Sequence, residues 1–160
     1  KTSLIGKALV FGTSEYGLSP VSSIMNYSSY SYVINHVNLT LGSKKPQTTI
    51  KYSTKNYSLI YLLYKLGCIN NFYIHSTKKK NLLLKYLTFS IFFYKNSPFF
   101  KQIKLVSSLS KKHTITYQSL KILNQSLGNS FLILSTVQGL LTHQEALLKK
   151  IGGLILAVIN

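Results

Sequence analysis

The chain has almost no acidic residues and no arginine. Its 160 residues include 19 lysines, no aspartate and only two glutamates, Glu15 and Glu145, so the formal net charge at pH 7 is +17. Metal-dependent phosphoryl chemistry needs carboxylate ligands, and this shortage argues against an RNA-processing enzyme. A folded chain with so high a charge requires a polyanionic partner. We place nucleic acid first and an anionic membrane surface second.

Cysteine and long apolar runs are also scarce. Cys68 is the single cysteine, which excludes an intrachain disulfide and a cysteine-based metal cage. Because it follows a predicted helix end, we expect it to fill the core. No uncharged apolar stretch reaches the roughly 18 residues that a spanning helix needs, so we predict no membrane span. The four histidines are dispersed without acidic or thiolate neighbours, and we therefore expect no metal and no cofactor.

What the chain does contain is a hydrophobic fraction of 46%, which is enough for a core. The lysines are interleaved with tyrosine, phenylalanine, leucine and isoleucine, so they decorate a folded body rather than a disordered tail. Lysine in every cationic role, with abundant asparagine and isoleucine, is typical of an A/T-rich organellar genome. We predict a mitochondrial location, with a plastid as the alternative. The chain opens on Lys1 rather than Met, so no targeting peptide is assigned.

Residues 1–28 have no steady period and are interpreted as an extension, with a weak strand at 9–11 as the alternative. Val33, Val37 and Leu41 recur every four residues before Gly42, which predicts a helix over 29–41 that stops at the glycine. Further elements are predicted to residue 99: a strand over 48–52, a helix from Ser53 or Thr54 to Leu66 stopped by Gly67, a hairpin of 68–76 and 82–94 with Lys78–Asn81 as its turn, and a linker at 96–98.

The later half is read as strands over 103–107 and 114–116, a helix over 119–123 and a strand over 131–134. Ser135 and Thr136 would end that strand, and Gly139 permits a positive φ in the loop that follows. Thr142 and Glu145 have the spacing of a capping box, so a helix should begin at about Thr142. The double glycine 152–153 then precedes a last apolar strand.

These elements predict an α+β fold. The N-terminal α/β domain, 29–99, would hold a small sheet and two helices. The C-terminal β-rich domain, 100–160, would hold an antiparallel sheet with short helices.

The stretch over 135–146, S-T-V-Q-G-L-L-T-H-Q-E-A, and the later Gly152-Gly153 resemble the C-terminal signature of the universal small-subunit ribosomal protein eight family in its organellar form. That signature is roughly S-T-S-x-G-x-M-T-[DH]-x-E-A, followed by G-G-E. The segment from Ser53 to Ile69 is similar to the family's S-K-helix-E-G-[FY]-I, and Ser110-Lys111 stands where the family has I-S-K-P-G. The resemblance covers about 29–160.

The resemblance implies a structural protein that binds the central domain of small-subunit rRNA early in assembly, beside small-subunit protein five. It also implies that the C-terminal domain, 100–160, is the RNA-binding domain. It implies no small-molecule substrate. The chain departs from the family pattern at Val137, which replaces a serine, and at Leu154, which replaces an acidic residue. The RNA-contacting residues expected from the resemblance are Ser135, Thr136, Val137, Gln138, Gly139, Lys111, Lys112, Ser53, Lys55, Asn35 and Asn38.

Three features of the sequence also allow other interpretations. Ser135, His143 and Glu145 could suggest nucleophilic catalysis, but the capping box already explains Glu145. Tyrosines could stack on bases, although at strand and helix spacing they are more often packing residues. The alternative function is that of a basic peripheral membrane-binding protein. Which lysine clusters face the partner stays open at 44–45, 78–80 and 149–150.

Overall fold

The computed structural model describes residues 20–45, 47–79, 82–95, 97–108 and 110–160, with side chains from Ser29 onward except at 79 and 82. The strand considered at 9–11 lies outside this part. The elements are α1 Pro20–Ser43, β1 Thr48–Lys51, α2 Thr54–Lys65, β2 Ile69–Lys79, β3 Leu82–Ile91, β4 Phe93–Tyr94, β5 Ser97–Pro98, β6 Ile103–Leu105, β7 Thr114–Ile115, α3 Tyr117–Ser126, β8 Phe131–Thr136, β9 Gly139–Thr142, α4 His143–Leu148 and β10 Gly153–Ile159.

The first sheet has the strand order β1-β3-β2 and is antiparallel throughout. Ile50 of β1 lies opposite Leu87 of β3, and Phe72 of β2 lies opposite Phe89. Their shared face packs in one buried cluster with the apolar stripes of α1 and α2, because alternate residues of a strand point to the same side. Among the described residues, no helix of that cluster packs on the opposite face of this sheet.

Helix α1 is longer than predicted at both ends. It begins at Pro20 rather than at 29, and proline suits a first helical position because its missing N–H has no helical partner there. The predicted stripe is confirmed, since Val33 and Val37 are fully buried. Gly42 does not stop the helix. The chain leaves it after Ser43, and Lys44 takes the left-handed conformation at φ 48°.

The second sheet has the order β6-β10-β8-β9, and β7 pairs with β10 beside β6. All of its pairs are antiparallel, so the predicted α+β fold with antiparallel sheets is confirmed. One apolar cluster joins α1, α2 and the first sheet to Ile133, Leu156 and Ile159 of the second sheet. A smaller cluster around Leu120 and Leu134 lies under α3 and α4. The division at residue 99 stays a prediction.

Several predicted boundaries were wrong. Strand β2 continues through Lys78, which pairs with Leu83, so Lys78 belongs to the strand rather than to its turn. The predicted linker contains β5, whose two residues Ser97–Pro98 pair with β4. Helix α3 extends over Tyr117–Ser126 and is capped by the Thr116 hydroxyl, which accepts from the Ser119 N–H. Cys68 is buried as expected, and burial raises its pKa to about 12. Over the part of the chain that the structure describes, no helix has the length and apolar character to cross a membrane.

Candidate RNA interface

The predicted loop over 135–139 is a β-hairpin. Strand β8 runs on through Ser135 and Thr136, and Thr136 pairs with Gly139 at the start of β9. Only Val137 and Gln138 form the turn. The prediction of a loop leading straight into the helix was wrong because Leu140 and Leu141 pair with β8 as a short strand of their own.

The turn is stabilised by the Thr136 side chain and by the backbone conformation of Gly139. The Thr136 hydroxyl donates to the Gly139 carbonyl at 3.0 Å and accepts from the Gln138 N–H at 3.2 Å. Gly139 adopts φ 101°, as the sequence predicted, and a turn followed by a positive-φ glycine is a common way to close a hairpin. Val137 is 96% exposed at the tip. Among the described residues, neither the Ser135 hydroxyl nor the Gln138 side-chain amide has a hydrogen-bond partner.

The helix behind the hairpin is fixed by the predicted capping box, which is confirmed. The Thr142 hydroxyl accepts from the Glu145 N–H, and the Glu145 carboxylate accepts from the Thr142 N–H, both at 3.2 Å. The same carboxylate also accepts a hydrogen bond from the Lys65 ammonium at the end of α2. This bond holds the pKa of the Glu145 carboxyl below its ordinary value. Sequence reasoning missed Lys65, since nothing marks one lysine among nineteen as the partner of that glutamate.

His143 has a structural role as well. Its ring is buried, and Nδ1 accepts a hydrogen bond from the Leu132 N–H at 3.2 Å. Burial lowers the pKa of the imidazole, which suits a neutral ring that accepts at Nδ1. His143 and Glu145 are therefore both engaged in contacts other than with Ser135, and the catalytic alternative gains no support from their geometry.

The double glycine lets β10 approach its neighbours closely. A Cβ atom on Gly152 would lie 2.4 Å from the Ile115 carbonyl oxygen, and one on Gly153 would lie 2.6 Å from the Ser135 carbonyl oxygen. Both neighbours are backbone atoms, so no side-chain rotation could relieve the contact. Gly153 therefore permits β10 to lie close to the last residues of β8, from which the hairpin turn projects, and Gly152 permits the same closeness to β7. The sequence showed the two glycines but not what they approach.

Lys111 and Lys112 lie at the other edge of the same sheet. Both are exposed in the segment between β6 and β7. The Lys111 N–H and carbonyl bond to the Ser108 side chain and N–H, respectively. Because β7 and β8 flank β10 on opposite sides, this segment is about two strand spacings, or roughly 10 Å, from β8. It connects two edge strands of the sheet to which the hairpin belongs.

The remaining predicted residues lie on α1 and at the start of α2. Asn35 is exposed, whereas the Asn38 side chain accepts from the Ile103 N–H at 3.0 Å and donates to its carbonyl at 2.9 Å. Any RNA contact by Asn38 would compete with this pairing. Ser53 precedes α2 without capping it through its side chain, and Lys55 is half-buried. Lys65, at the far end of α2, contacts α4. Ser53 therefore lies about 18 Å from Lys65 along the helix axis.

The charge of the described surface has one sign. Glu145 is the only carboxylate side chain in the described part, and its ion pair with Lys65 is the only one formed there. Lys149 also lowers the pKa of the Glu145 carboxyl through its charge, but it forms no ion pair with it. Such a surface attracts phosphate and loses affinity as salt is added.

Comparison with known proteins identifies the family. A family model described as ribosomal protein S8 matches residues 32–160. Small ribosomal subunit protein uS8m of Acanthamoeba castellanii is 31% identical over 133 residues, which cover 83% of this chain and 99% of that protein. Small ribosomal subunit protein uS8c of Phaseolus angularis is 26% identical over 136 residues, 84% of this chain and 99% of that protein.

A bacterial relative is also similar. Small ribosomal subunit protein uS8 of Legionella pneumophila (strain Lens) is 29% identical over 111 residues, which cover 69% of this chain and 80% of that protein. The mitochondrial and chloroplast relatives agree with the location predicted from composition, which is a mitochondrion or, as the alternative, a plastid. The mitochondrial relative has the higher identity of the two. The match to the family model takes in both sheets and the hairpin on which the resemblance was based. The chain belongs to the ribosomal protein S8 family.

Proposed function

We propose that this chain is a structural component of an organellar small ribosomal subunit, which binds the central domain of small-subunit rRNA and supports its assembly. Family membership implies a non-enzymatic structural role with rRNA and ribosomal proteins as partners. The observation that carries the finer proposal is the β8–β9 hairpin, which presents polar groups without internal partners from a surface that is otherwise cationic.

The hairpin suits contact with the RNA backbone and ribose. The Ser135 hydroxyl and the Gln138 amide can donate to phosphate oxygens or exchange hydrogen bonds with a ribose 2′-hydroxyl. Val137 supplies an apolar contact at the tip where the family has a serine. Thr136 acts indirectly, because its hydroxyl is engaged in holding the turn. Recognition of this kind reads the shape of an RNA stem rather than its base sequence.

The lysines supply most of the affinity in this proposal. Lys111 and Lys112 are exposed in the connection between β6 and β7, at the edge of the sheet that carries the hairpin, and each phosphate that a lysine neutralises releases counterions. Ser53, Lys55 and Asn35 would contribute secondary contacts from the helical side. Small-subunit protein five remains the protein neighbour that we propose from the family resemblance.

The test is binding of the cognate rRNA fragment, measured by filter retention. Replacing Ser135 and Thr136 together by alanine should weaken binding by roughly 1–3 kcal/mol, on the scale of hydrogen bonds to charged groups. Because Thr136 also holds the turn, Ser135→Ala and Gln138→Ala test direct contact. Thr136→Ser is the matched control, since it keeps the hydroxyl and should bind like wild type. Unchanged affinity of the double variant with an intact fold would reduce the hairpin to a structural turn.

The membrane alternative is decided by the same protein in a second assay. Flotation with vesicles that contain anionic lipid would reveal lipid binding, whereas the proposed function predicts preference for the cognate rRNA fragment over an unrelated RNA. Lipid binding without any RNA preference would refute the ribosomal assignment of the surface. In the favoured case, log affinity should fall linearly with log salt, with a slope of about 0.7–0.9 per phosphate contact.

A further inference from the structure

The open face of the first sheet carries a row of aromatic rings. Phe72 and Phe89 point to the helices, so the alternate residues of β2 and β3 point to the other face. Tyr73 and His75 of β2 and Tyr86 of β3 lie on that open face. The Tyr73 and His75 ring centroids are 6.0 Å apart, and the His75 and Tyr86 rings stack with centroids 5.7 Å apart at 22°.

The rest of the face is polar and positively charged. Lys51 of β1 lies directly opposite Tyr86 and is exposed. Thr88 lies behind the rings, where its hydroxyl bonds to Thr49 Oγ1 at 2.9 Å and contacts His75 Nδ1 at 3.4 Å. The only described carboxylate side chain, Glu145, is engaged with Lys65 on α2, which packs on the sheet's other side. The open face therefore combines accessible rings and a cation with no negative charge.

One of the three rings is largely exposed and the other two are partly exposed. The Tyr73 side chain is 51% exposed, and its hydroxyl donates to Gln47 at 3.4 Å at the rim. Tyr86 and His75 are half-buried against each other. In the sequence, polar and aromatic residues alternate with other residues at 71, 73, 75 and 77. This pattern is equally typical of an ordinary solvent-exposed strand face. The structure adds that the rings of two strands join in one row.

We propose that this open sheet face is a second RNA-binding surface, on which unpaired bases of the rRNA stack on Tyr73, His75 and Tyr86 while Lys51 meets the backbone. The proposal rests on the proposed function in so far as the RNA is rRNA. Aromatic rings on an antiparallel sheet accept bases of any sequence, because every base has a π-face. The row spans two strands and has room for about two or three bases. Charge favours RNA over a protein neighbour, since the face presents no carboxylate or apolar patch.

The experiment uses the full chain and two labelled RNAs, the cognate rRNA fragment and an oligouridine of about twelve nucleotides, followed by fluorescence anisotropy. Tyr73→Leu and Tyr86→Leu should each weaken oligouridine binding roughly 5- to 100-fold, and Tyr86→Phe should restore it. Tyr64→Leu is the matched control, because Tyr64 is 45% exposed on α2 and packs on Phe72 at the sheet's other face. That variant should bind like wild type.

Each outcome decides the matter. Equal loss in the Tyr64→Leu control, or no loss in the Tyr73→Leu variant, would overturn the proposal. Normal RNA binding together with defective incorporation into the particle would assign the face to a protein neighbour and overturn it as well. If Tyr86→Leu fails to fold, the half-exposed Tyr73 and the exposed Lys51→Gln variant still test the surface. If the wild-type protein binds oligouridine but not the cognate fragment, the proposed function alone is refuted. If it binds the cognate fragment but not oligouridine, the stacking surface alone is refuted.

Discussion

Replacing Gly153 by alanine should both destabilise the fold and disturb the hairpin. The new Cβ would lie 2.6 Å from the Ser135 carbonyl oxygen and 2.9 Å from the Thr136 Cγ2 methyl. The methyl could turn away only by breaking the bonds that Thr136 makes to Gly139 and Gln138. The carbonyl cannot turn at all, since β8 and β10 pair at this point. One of the two strands must therefore shift.

Overpacking of this kind costs about 1–3 kcal/mol in the free energy of unfolding. For a chain of this size, the melting temperature should fall by roughly 2–12 °C. Thermal unfolding followed by far-UV circular dichroism measures the shift, and filter binding to the cognate rRNA fragment measures the hairpin at a temperature where the variant is still folded. We expect both quantities to fall together.

Gly42→Ala is the matched control, with the opposite sign. Gly42 lies within α1 without a positive φ, and its Cβ would meet nothing within 4 Å. Alanine in a helix is favoured over glycine by roughly 0.5–1 kcal/mol, so this variant should melt slightly above wild type. Wild-type melting and RNA binding in the Gly153→Ala variant would show that β10 does not approach β8 as described, and the reasoning would fail.

Two further predictions follow from side chains inside the fold. Asn38→Ala removes both hydrogen bonds to the Ile103 main chain and should lower the free energy of unfolding, measured in urea, by about 1–3 kcal/mol. Replacing the exposed Asn35 by alanine is the control and should change that free energy by less than about 0.5 kcal/mol. Equal effects of the two variants would contradict the role given to Asn38. Burial lowers the pKa of His143 from its ordinary 6.5, so the unfolded chain takes up a proton that the folded ring resists. Stability should therefore fall as the pH is lowered through 6.5 and on towards the lower pKa of the folded state. His143→Gln should flatten this pH dependence, and an unchanged slope in that variant would exclude His143 as its source.

Local signals in the sequence were enough for the features that depend on a few neighbouring residues. The capping box at Thr142, the positive φ at Gly139 and the helix stop at Gly67 each follow from one residue's chemistry and its spacing. The apolar stripe of α1 was equally visible, because a four-residue recurrence needs no tertiary information. The family signature then located the candidate site at 135–139.

Other features depend on contacts that spacing cannot show. Strand β9 has only four residues between a glycine and a cap, and it is a strand because β8 lies beside it. The bond from Lys65 to Glu145 joins residues 80 positions apart. Helix α1 starts nine residues early because Pro20 suits its first turn, although the tyrosine- and serine-rich segment after it has no apolar period. The strand β9 and the bond from Lys65 to Glu145 required the partner element to be in place, whereas the early start of α1 did not.

The geometry of the hairpin limits how the proposed interface can recognise RNA. Within the hairpin, the Thr136 hydroxyl stabilises the turn and the Thr142 hydroxyl caps α4. The Ser135 hydroxyl and the Gln138 amide are the polar side-chain groups of the hairpin that have no partner among the described residues. Two polar side chains can fix a register but cannot read a base sequence, whereas phosphate contacts from lysines position the protein without specificity. Selectivity for one RNA must therefore come from the arrangement of several surfaces on a rigid body. The close approach at Gly153, the Asn38 bonds to β6 and the Lys65 bond to Glu145 are the contacts that keep those surfaces in fixed relation.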